Sequence, residues 1–417
     1  MKIGLKHLVL TTALAGVTAP AALAQDNPFI RGRYTAVTDR TQPEYDPLPI
    51  VMGGFDVSAA LGVSAEYNDN VLATQNNQTS DTVIRIQPSV EAHSHWSSHQ
   101  LNAGVSVDHH QFLNEESETT TDYNAFVGGR LDMTREVQFT GRASVGHVTE
   151  PRYEPAASGA PEPAEYDVYG ADLGTVLRRD RLQLNVNVGS EEFNFNNFYS
   201  YRDVTNTYVA ARGSYAISPD VAVFVQGRST DENYDTPGTA LVPSRDGTLT
   251  SFQVGTSFEL AAPFRGEIAI GTNKEDKKSP LLRDIDGFSA DANVTWFATQ
   301  LSTITFRANR SVFDPGITQV ASATATRLGV RVDHELLRNL LLFGDLGYTK
   351  YEYDGTGYDR QDKFTDVSVG LGYKLNRHAR IEASYQLHDQ DSTGVNADPG
   401  RQNVDQNVFS IGLRVFP

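Results

Sequence analysis

The 417-residue chain contains no cysteine. Neither a disulfide framework nor a thiolate metal site is therefore available, and packing and hydrogen bonding alone must hold the fold. Beyond its leader the chain has no apolar run of the roughly 20 residues that a spanning helix needs. Basic residues are also in short supply. The formal net charge is -17, which argues against a nucleic-acid partner because phosphate binding needs a basic surface. Acidity itself bears on solubility and not on fold. Helical periodicity is hard to find after residue 53, so the primary signal must come from elsewhere.

What is present begins with an export signal. Residues 1–24 carry Lys2 and Lys6, then an apolar stretch, then Ala22-Leu23-Ala24, the order that signal peptidase reads. Residues 25–52 contain Pro28, Pro43, Pro47 and Pro49 and read as an extended periplasmic segment, expected to dock on an export partner or to fold into a lumen. Residues 53–417 form the folded body.

In that body, period-two alternation recurs at almost every step. Leu101, Ala103, Val105 and Val107 alternate with Asn102, Gly104, Ser106 and Asp108. Leu182, Leu184, Val186 and Val188 alternate with Gln183, Asn185 and Asn187. The run from Phe364 through Val367, Val369, Leu371 and Tyr373 does the same after one slip near Asp366. Such spacing puts the apolar residues on one face of a strand. The connections alternate as well, with tight links such as Ser218-Pro219-Asp220 between long polar stretches such as 150–164 and 234–246.

This rhythm predicts a transmembrane up-and-down antiparallel β-barrel of about 18 strands in an outer membrane, with tight turns and both termini on the periplasmic side. A soluble β-sandwich or β-solenoid is the competing architecture, and neither explains so many strands with alternating short and long links. Phe193, Phe195, Phe198, Tyr199 and Tyr201 are expected in a girdle at the membrane rim. Phe409, Ile411, Leu413 and Val415 form one face of a last strand that must pair with the first, the kind of C-terminal strand that outer-membrane assembly machinery reads. The aromatic Phe416, however, is out of phase with them.

If the apolar phase faces lipid, the other phase lines a lumen. It contains Asp108, Arg130, Arg142, Arg212, Arg228, Glu259, Arg265, Glu267, Arg307, Arg331, Asp333, Glu382 and Arg414, together with Asp291 and Asp345. An interior this charged is water-filled or plugged by loops, since charges are prohibitive in an apolar cavity. Arginines of this kind suit a sugar polymer, particularly one with uronic acids, because guanidinium binds carboxylate bidentately and stacks on flat surfaces. The plain alternative is that lumen arginines and carboxylates pair with one another.

No cofactor or metal is expected. The histidines at 93, 95, 99, 109 and 110 are dense but lack a diagnostic ligand spacing. Asp69 and the Asp354–Asp359 stretch read as turn residues, and EF-hand spacing is absent. Glu191-Glu192 or Asp389 with Asp391 would need a known spatial separation to serve as glycosidase acids. Neither a nucleophile elbow nor a phosphate loop occurs, so the chain reads as a non-enzyme.

Residues 54–152 carry a resemblance. GFDVSAALGVSAEYNDNVLAT leads to a first strand ending in Tyr67-Asn68-Asp69-Asn70. Asp81, Ile86, Pro88 and Trp96 follow, then Ser97, His99 and Leu101, then Asp122-Tyr123 before Gly129-Arg130. The stretch resembles the second "putative β-barrel porin" family, whose members are often encoded with exopolysaccharide synthesis and export systems. The resemblance implies an outer-membrane pore through which an exopolysaccharide leaves. It also implies a periplasmic polysaccharide export protein as partner, fed by an inner-membrane co-polymerase, and it supplies no catalytic residues. A porin for small solutes and a surface adhesion barrel remain alternatives. A siderophore-type receptor is disfavoured, since the chain leaves no room for 22 strands around a plug domain.

Overall fold

A computed structural model of the chain describes residues 32–157, 162–238, 243–260, 263–317, 320, 322–354, 358–397 and 403–417. The expected export signal, the start of the leader, and Ala261 and Ala262 of one expected tight link lie outside the described residues. Alternating sequence becomes strand throughout. The strands are β1 (Ile50–Met52), β2 (Phe55–Asn68), β3 (Asp81–Ser94), β4 (Gln100–Phe112), β5 (Thr120–Asp132), β6 (Val137–Thr149), β7 (Glu165–Arg179), β8 (Leu182–Phe195), β9 (Val204–Ser218) and β10 (Val221–Tyr234). They continue as β11 (Gly247–Glu259), β12 (Phe264–Lys277), β13 (Ile285–Thr299), β14 (Ser302–Phe313), β15 (Ser322–Leu337), β16 (Leu340–Asp354), β17 (Gln361–Asn376), β18 (Ala379–Thr393) and β19 (Asn403–Val415).

Each strand from β2 onward pairs antiparallel with the next, and β19 returns to β2, from Val408 opposite Asn68 to Val415 opposite Leu61. The result is a closed 18-stranded barrel, β2 to β19. Closure leaves no long edge. The lower end of β2, which β19 does not reach, is covered by β1, with Ile50 opposite Val57 and Met52 opposite Phe55. Links are short at one end, as in the two-residue turn Asp180-Arg181, where Asp180 takes φ 51°, a left-handed conformation that Asp tolerates. At the other end they are long, reaching residues 150–164 between β6 and β7.

Three connections escape the sequence reading. Residues 95–99 and the dipeptide Gln300-Leu301 lack a Gly or Pro signal. Residues 196–203 are aromatic and read as membrane rim, yet Tyr199 is 1% exposed and its hydroxyl donates to the Ala157 carbonyl inside the barrel. Phe195 takes the Arg202 guanidinium on its face at 4.1 Å, and Tyr201 donates to the Gly316 carbonyl. Only Phe198 of this group is largely exposed. The expected girdle patch is thus mostly interior packing.

The slip near Asp366 does not exist either. β17 pairs with β16 without interruption from Gln361 to Tyr373. Phe364 sits on the inward phase, 3% exposed, because loops have filled that end of the barrel with apolar side chains. Phe416 likewise leaves the outward phase. Its N–H donates to the His378 carbonyl and its ring lies 6.0 Å from the Arg380 guanidinium.

The outward phase is apolar and bare, with Leu173 67% and Ile411 62% exposed, and Val63, Val127, Phe252, Ile270 and Leu346 in the same class. A soluble sheet would cover this band; a bilayer does so here. Strands of 12–16 residues exceed the roughly 9–11 needed to cross it. The surplus carries charged outward pairs such as Lys274 with Asp276. Replacing Leu173 with Arg should cost about 2–4 kcal/mol in guanidinium unfolding from lipid vesicles, as expected for a cation near mid-bilayer. An unchanged unfolding free energy would mean that this face does not meet lipid.

Candidate functional site

All the charged residues that alternation assigns to the lumen lie on the inward phase, and most of them meet one another. Arg85 on β3, which the same alternation would have revealed, binds Glu66 at 3.0 Å and also pairs with Asp108. Arg212 on β9 reaches Glu267 on β12 with a bidentate pair at 2.6 and 2.8 Å, a span that only the concave face permits. Arg307 pairs with Asp345 at 2.5 Å and Arg331 with Asp333 at 2.9 Å. Glu382 takes Arg380 at 2.5 Å and Arg414 at 3.8 Å. Arg130 pairs with Asp132 near the short-turn end, and Asp291 accepts from Asn309. Bidentate, charge-assisted pairs of this kind hold their geometry and leave little uncompensated charge.

Aromatic rings organise four of the lumen guanidiniums through a repeated device. Phe126, Tyr208, Phe224 and Phe343 stand directly across the ladder from Gly104, Gly189, Gly255 and Gly370. Each ring occupies the space over its glycine. A Cβ at Gly104, Gly189 or Gly370 would fall 2.6, 2.7 or 2.6 Å from a ring carbon. Each ring also carries an arginine, with Arg142 over Phe126 at 4.1 Å, Arg228 over Tyr208 at 3.7 Å, Arg212 over Phe224 at 3.6 Å and Arg331 over Phe343 at 4.8 Å. The arginine always pairs with the position two residues beyond the ring on the ring's own strand, namely Gly128, Ala210, Gln226 or Asp345. One diagonal register rule therefore builds four glycine–aromatic–arginine stacks.

Both ends of the lumen are occupied by the chain itself. At the short-turn end the leader crosses the inner wall from β11 to β17. The Gly32 and Arg33 amides donate to Glu259, Tyr34 stacks on Phe297 at 5.1 Å and accepts from Arg265, and the Val37 amide donates to Thr303. Farther along, Arg40 meets Glu335, and Lys374 donates to Asp46 at 2.8 Å. Glu259 and Arg265 are thus engaged by the leader. At the long-loop end, residues 150–157 reach across the opening. Tyr153 stacks on His388 of β18 at 3.9 Å and joins the apolar cluster of Tyr351, Tyr353, Phe364, Val320 and Val404. β16, which carries two of those tyrosines, lies nine strands round from β7 in an 18-strand ring, on the opposite wall. Beside the leader, a cavity of about 480 Å³ in the lumen is lined by Thr38, Gln87, Arg307, Asp345, Ser384 and Arg414 among others.

The model of the family described as "Putative beta-barrel porin 2" matches residues 42–416. The chain belongs to that family. It is an outer-membrane β-barrel of a Gram-negative cell. Among solved structures it is similar to OpdL of Pseudomonas aeruginosa, with 12% identity over 88% of this chain and 99% of that one at a TM-score of 0.46. It is similar to Pseudomonas aeruginosa OccK2, solved in complex with glucuronate, with 12% identity over 87% and 98% at a TM-score of 0.48. It is also similar to OmpT of Vibrio cholerae, with 14% identity over 88% and 100% at a TM-score of 0.37. No curated protein matches the chain.

Within this porin-family barrel the crossing loop is pinned by charge. Glu150 binds Arg202 through both carboxylate oxygens at 2.7 and 2.8 Å, and Arg152 pairs with Glu118 of the β4–β5 loop. Glu154 is the exception. It is buried in the loop, and burial first, then the neighbouring Glu150, push its carboxyl up to about 8, with Arg327 and Arg202 opposing and Asp362 adding to the rise. A docked acid with a raised value stabilises docking fully below its free value near 4.5, and that stabilisation is lost as pH climbs towards 8. The loop should therefore release as pH rises from about 5 to about 8.5, seen as increasing open-channel conductance in planar bilayers. Glu154→Gln should flatten that profile. A conductance that falls with pH, or a wild-type profile in the variant, would reject Glu154 as the titrating group.

Proposed function

We propose that the barrel is a conduit through which an exopolysaccharide crosses the outer membrane, working with a periplasmic polysaccharide export protein and an inner-membrane co-polymerase. The observation that carries this reading is the character of the inward surface. Guanidinium, carboxylate, amide and hydroxyl groups follow one another around the wall. These are groups that exchange hydrogen bonds with a chain of sugar hydroxyls without a single deep binding point. Family membership supports a channel, and the reading is of a non-enzyme. The leader lies at the mouth where a periplasmic partner would arrive, so its displacement by that partner is the natural opening step. A porin specific for a small solute is the second reading. It is favoured by the lumen cavity of about 480 Å³ beside the leader, a size typical of small-molecule sites.

The deciding experiment is secreted polysaccharide in a clean deletion strain, comparing sugar in the medium with sugar retained in the periplasm. Loss of released polymer with periplasmic build-up, restored by the wild-type chain, is the expected result. Unchanged secretion would remove the conduit reading and leave solute uptake as the activity to measure.

A further inference from the structure

The four ring-backed arginines differ in what else they hold. Arg212 and Arg331 are neutralised by Glu267 and Asp333. Arg142 and Arg228 make no ion pair among the described residues, although both sit inside a lumen rich in carboxylates. Arg142 makes no ion pair with Asp172, its direct cross-strand neighbour, and lies on Phe126. Arg228 donates from Nε to the Thr230 hydroxyl at 3.0 Å and keeps Nη1 buried with no partner. A buried, unpartnered donor on a charged group is costly unless a ligand completes it.

These two stations are neighbours on one wall. Arg142, Asp172, Gly189 and Tyr208 follow a single hydrogen-bonded row across β6, β7, β8 and β9, and Arg228 stands over the Tyr208 ring. Gly189 leaves the middle of the row bare except for the ring lying on it. Asp172 and Glu191, on the same inward phase, lie on β7 and β8, two of the three strands between the guanidiniums. The wall thus offers a rigid guanidinium at each side and hydroxyl acceptors between them. A uronic acid presents the complement, with a carboxylate for the guanidinium fork and ring hydroxyls for the acids.

We propose that Arg142 and Arg228, each held between an aromatic face and the lumen, bind the carboxylates of an acidic saccharide, with Asp172 and Glu191 taking its hydroxyls. This deepens, and rests on, the reading of the barrel as a polysaccharide conduit. The other two ring-backed arginines, Arg212 and Arg331, are already matched by carboxylates, so the β5–β10 wall is where an acidic chain would run.

The test is calorimetric titration of the detergent-solubilised full chain with tetragalacturonate and, in parallel, with uncharged maltotetraose. The wild type should bind the uronate and bind maltotetraose much more weakly. Arg142→Gln and Arg228→Gln should each weaken uronate binding by about tenfold, the size of one charge-assisted hydrogen bond, and Arg142→Lys and Arg228→Lys should recover part of it. Arg135→Gln, an equal loss of charge on an exposed turn, should bind as the wild type does. Heat-modifiable gel mobility establishes that each variant is a folded barrel. Equal affinity for the two sugars, wild-type affinity in both Gln variants, or no uronate binding at all would overturn the proposal. No uronate binding in a chain whose deletion still abolishes secretion would leave the conduit standing and remove only its acidic substrate. Arginine-dependent uronate binding with secretion intact would keep the site and remove the conduit.

Discussion

Within hydrocarbon every backbone N–H and C=O needs a partner from the chain, and in this molecule that requirement converges on the pairing of β19 with β2. Without it eighteen strands would form an open sheet with two unsatisfied edges in lipid. The last residues therefore bear on the whole structure, and the short β1 exists to cover the few positions of β2 that β19 leaves open. Closure also forces a division of labour on each strand. One phase is surrendered to lipid, so the apolar side chains that would build the core of a soluble protein are spent outside.

The inward phase then has to be stable without a conventional core. It achieves this in two ways. Arginine and carboxylate side chains neutralise each other across as many as three strand intervals, as Arg212 and Glu267 do. Aromatic rings lie on glycines, where the missing Cβ lets a ring approach the backbone, and arginines close over them. The stacks keep long cationic side chains against the wall, which keeps the lumen open while removing much of their conformational freedom.

The two self-contacts at the ends give the barrel a resting state. A leader that crosses from β11 to β17 occupies one mouth, and a loop that reaches the opposite wall crosses the other. Up to β1 the leader is held by contacts with side chains and not by strand pairing, and so is the loop, so either can leave without breaking the β2–β19 ladder. Such removable closures suit the proposed conduit role, since a permanent opening wide enough for a sugar chain would also leak solutes. The buried Glu154, whose docked form favours a proton, makes the outer closure the more responsive to the medium.

Much of this was legible in the chain itself. Strict alternation determined which residues of Leu182–Phe195 or Asn403–Val415 face out and which face in, because a strand has a period of two and lipid tolerates only one kind of face. The rhythm of short and long links determined the up-and-down order. Arg142 and Arg228 were recognisable as lumen residues on the same ground. What only the tertiary structure decided is which lumen charges pair, which remain free, and where the loops go. Arg142 faces Asp172 in register yet lies on Phe126, and Tyr199 leaves an apparent membrane rim for the interior. Alternation assigns a side chain to a face, but its partner on that face depends on the curvature and register of distant strands and on loops folded through the lumen, which a local pattern does not encode.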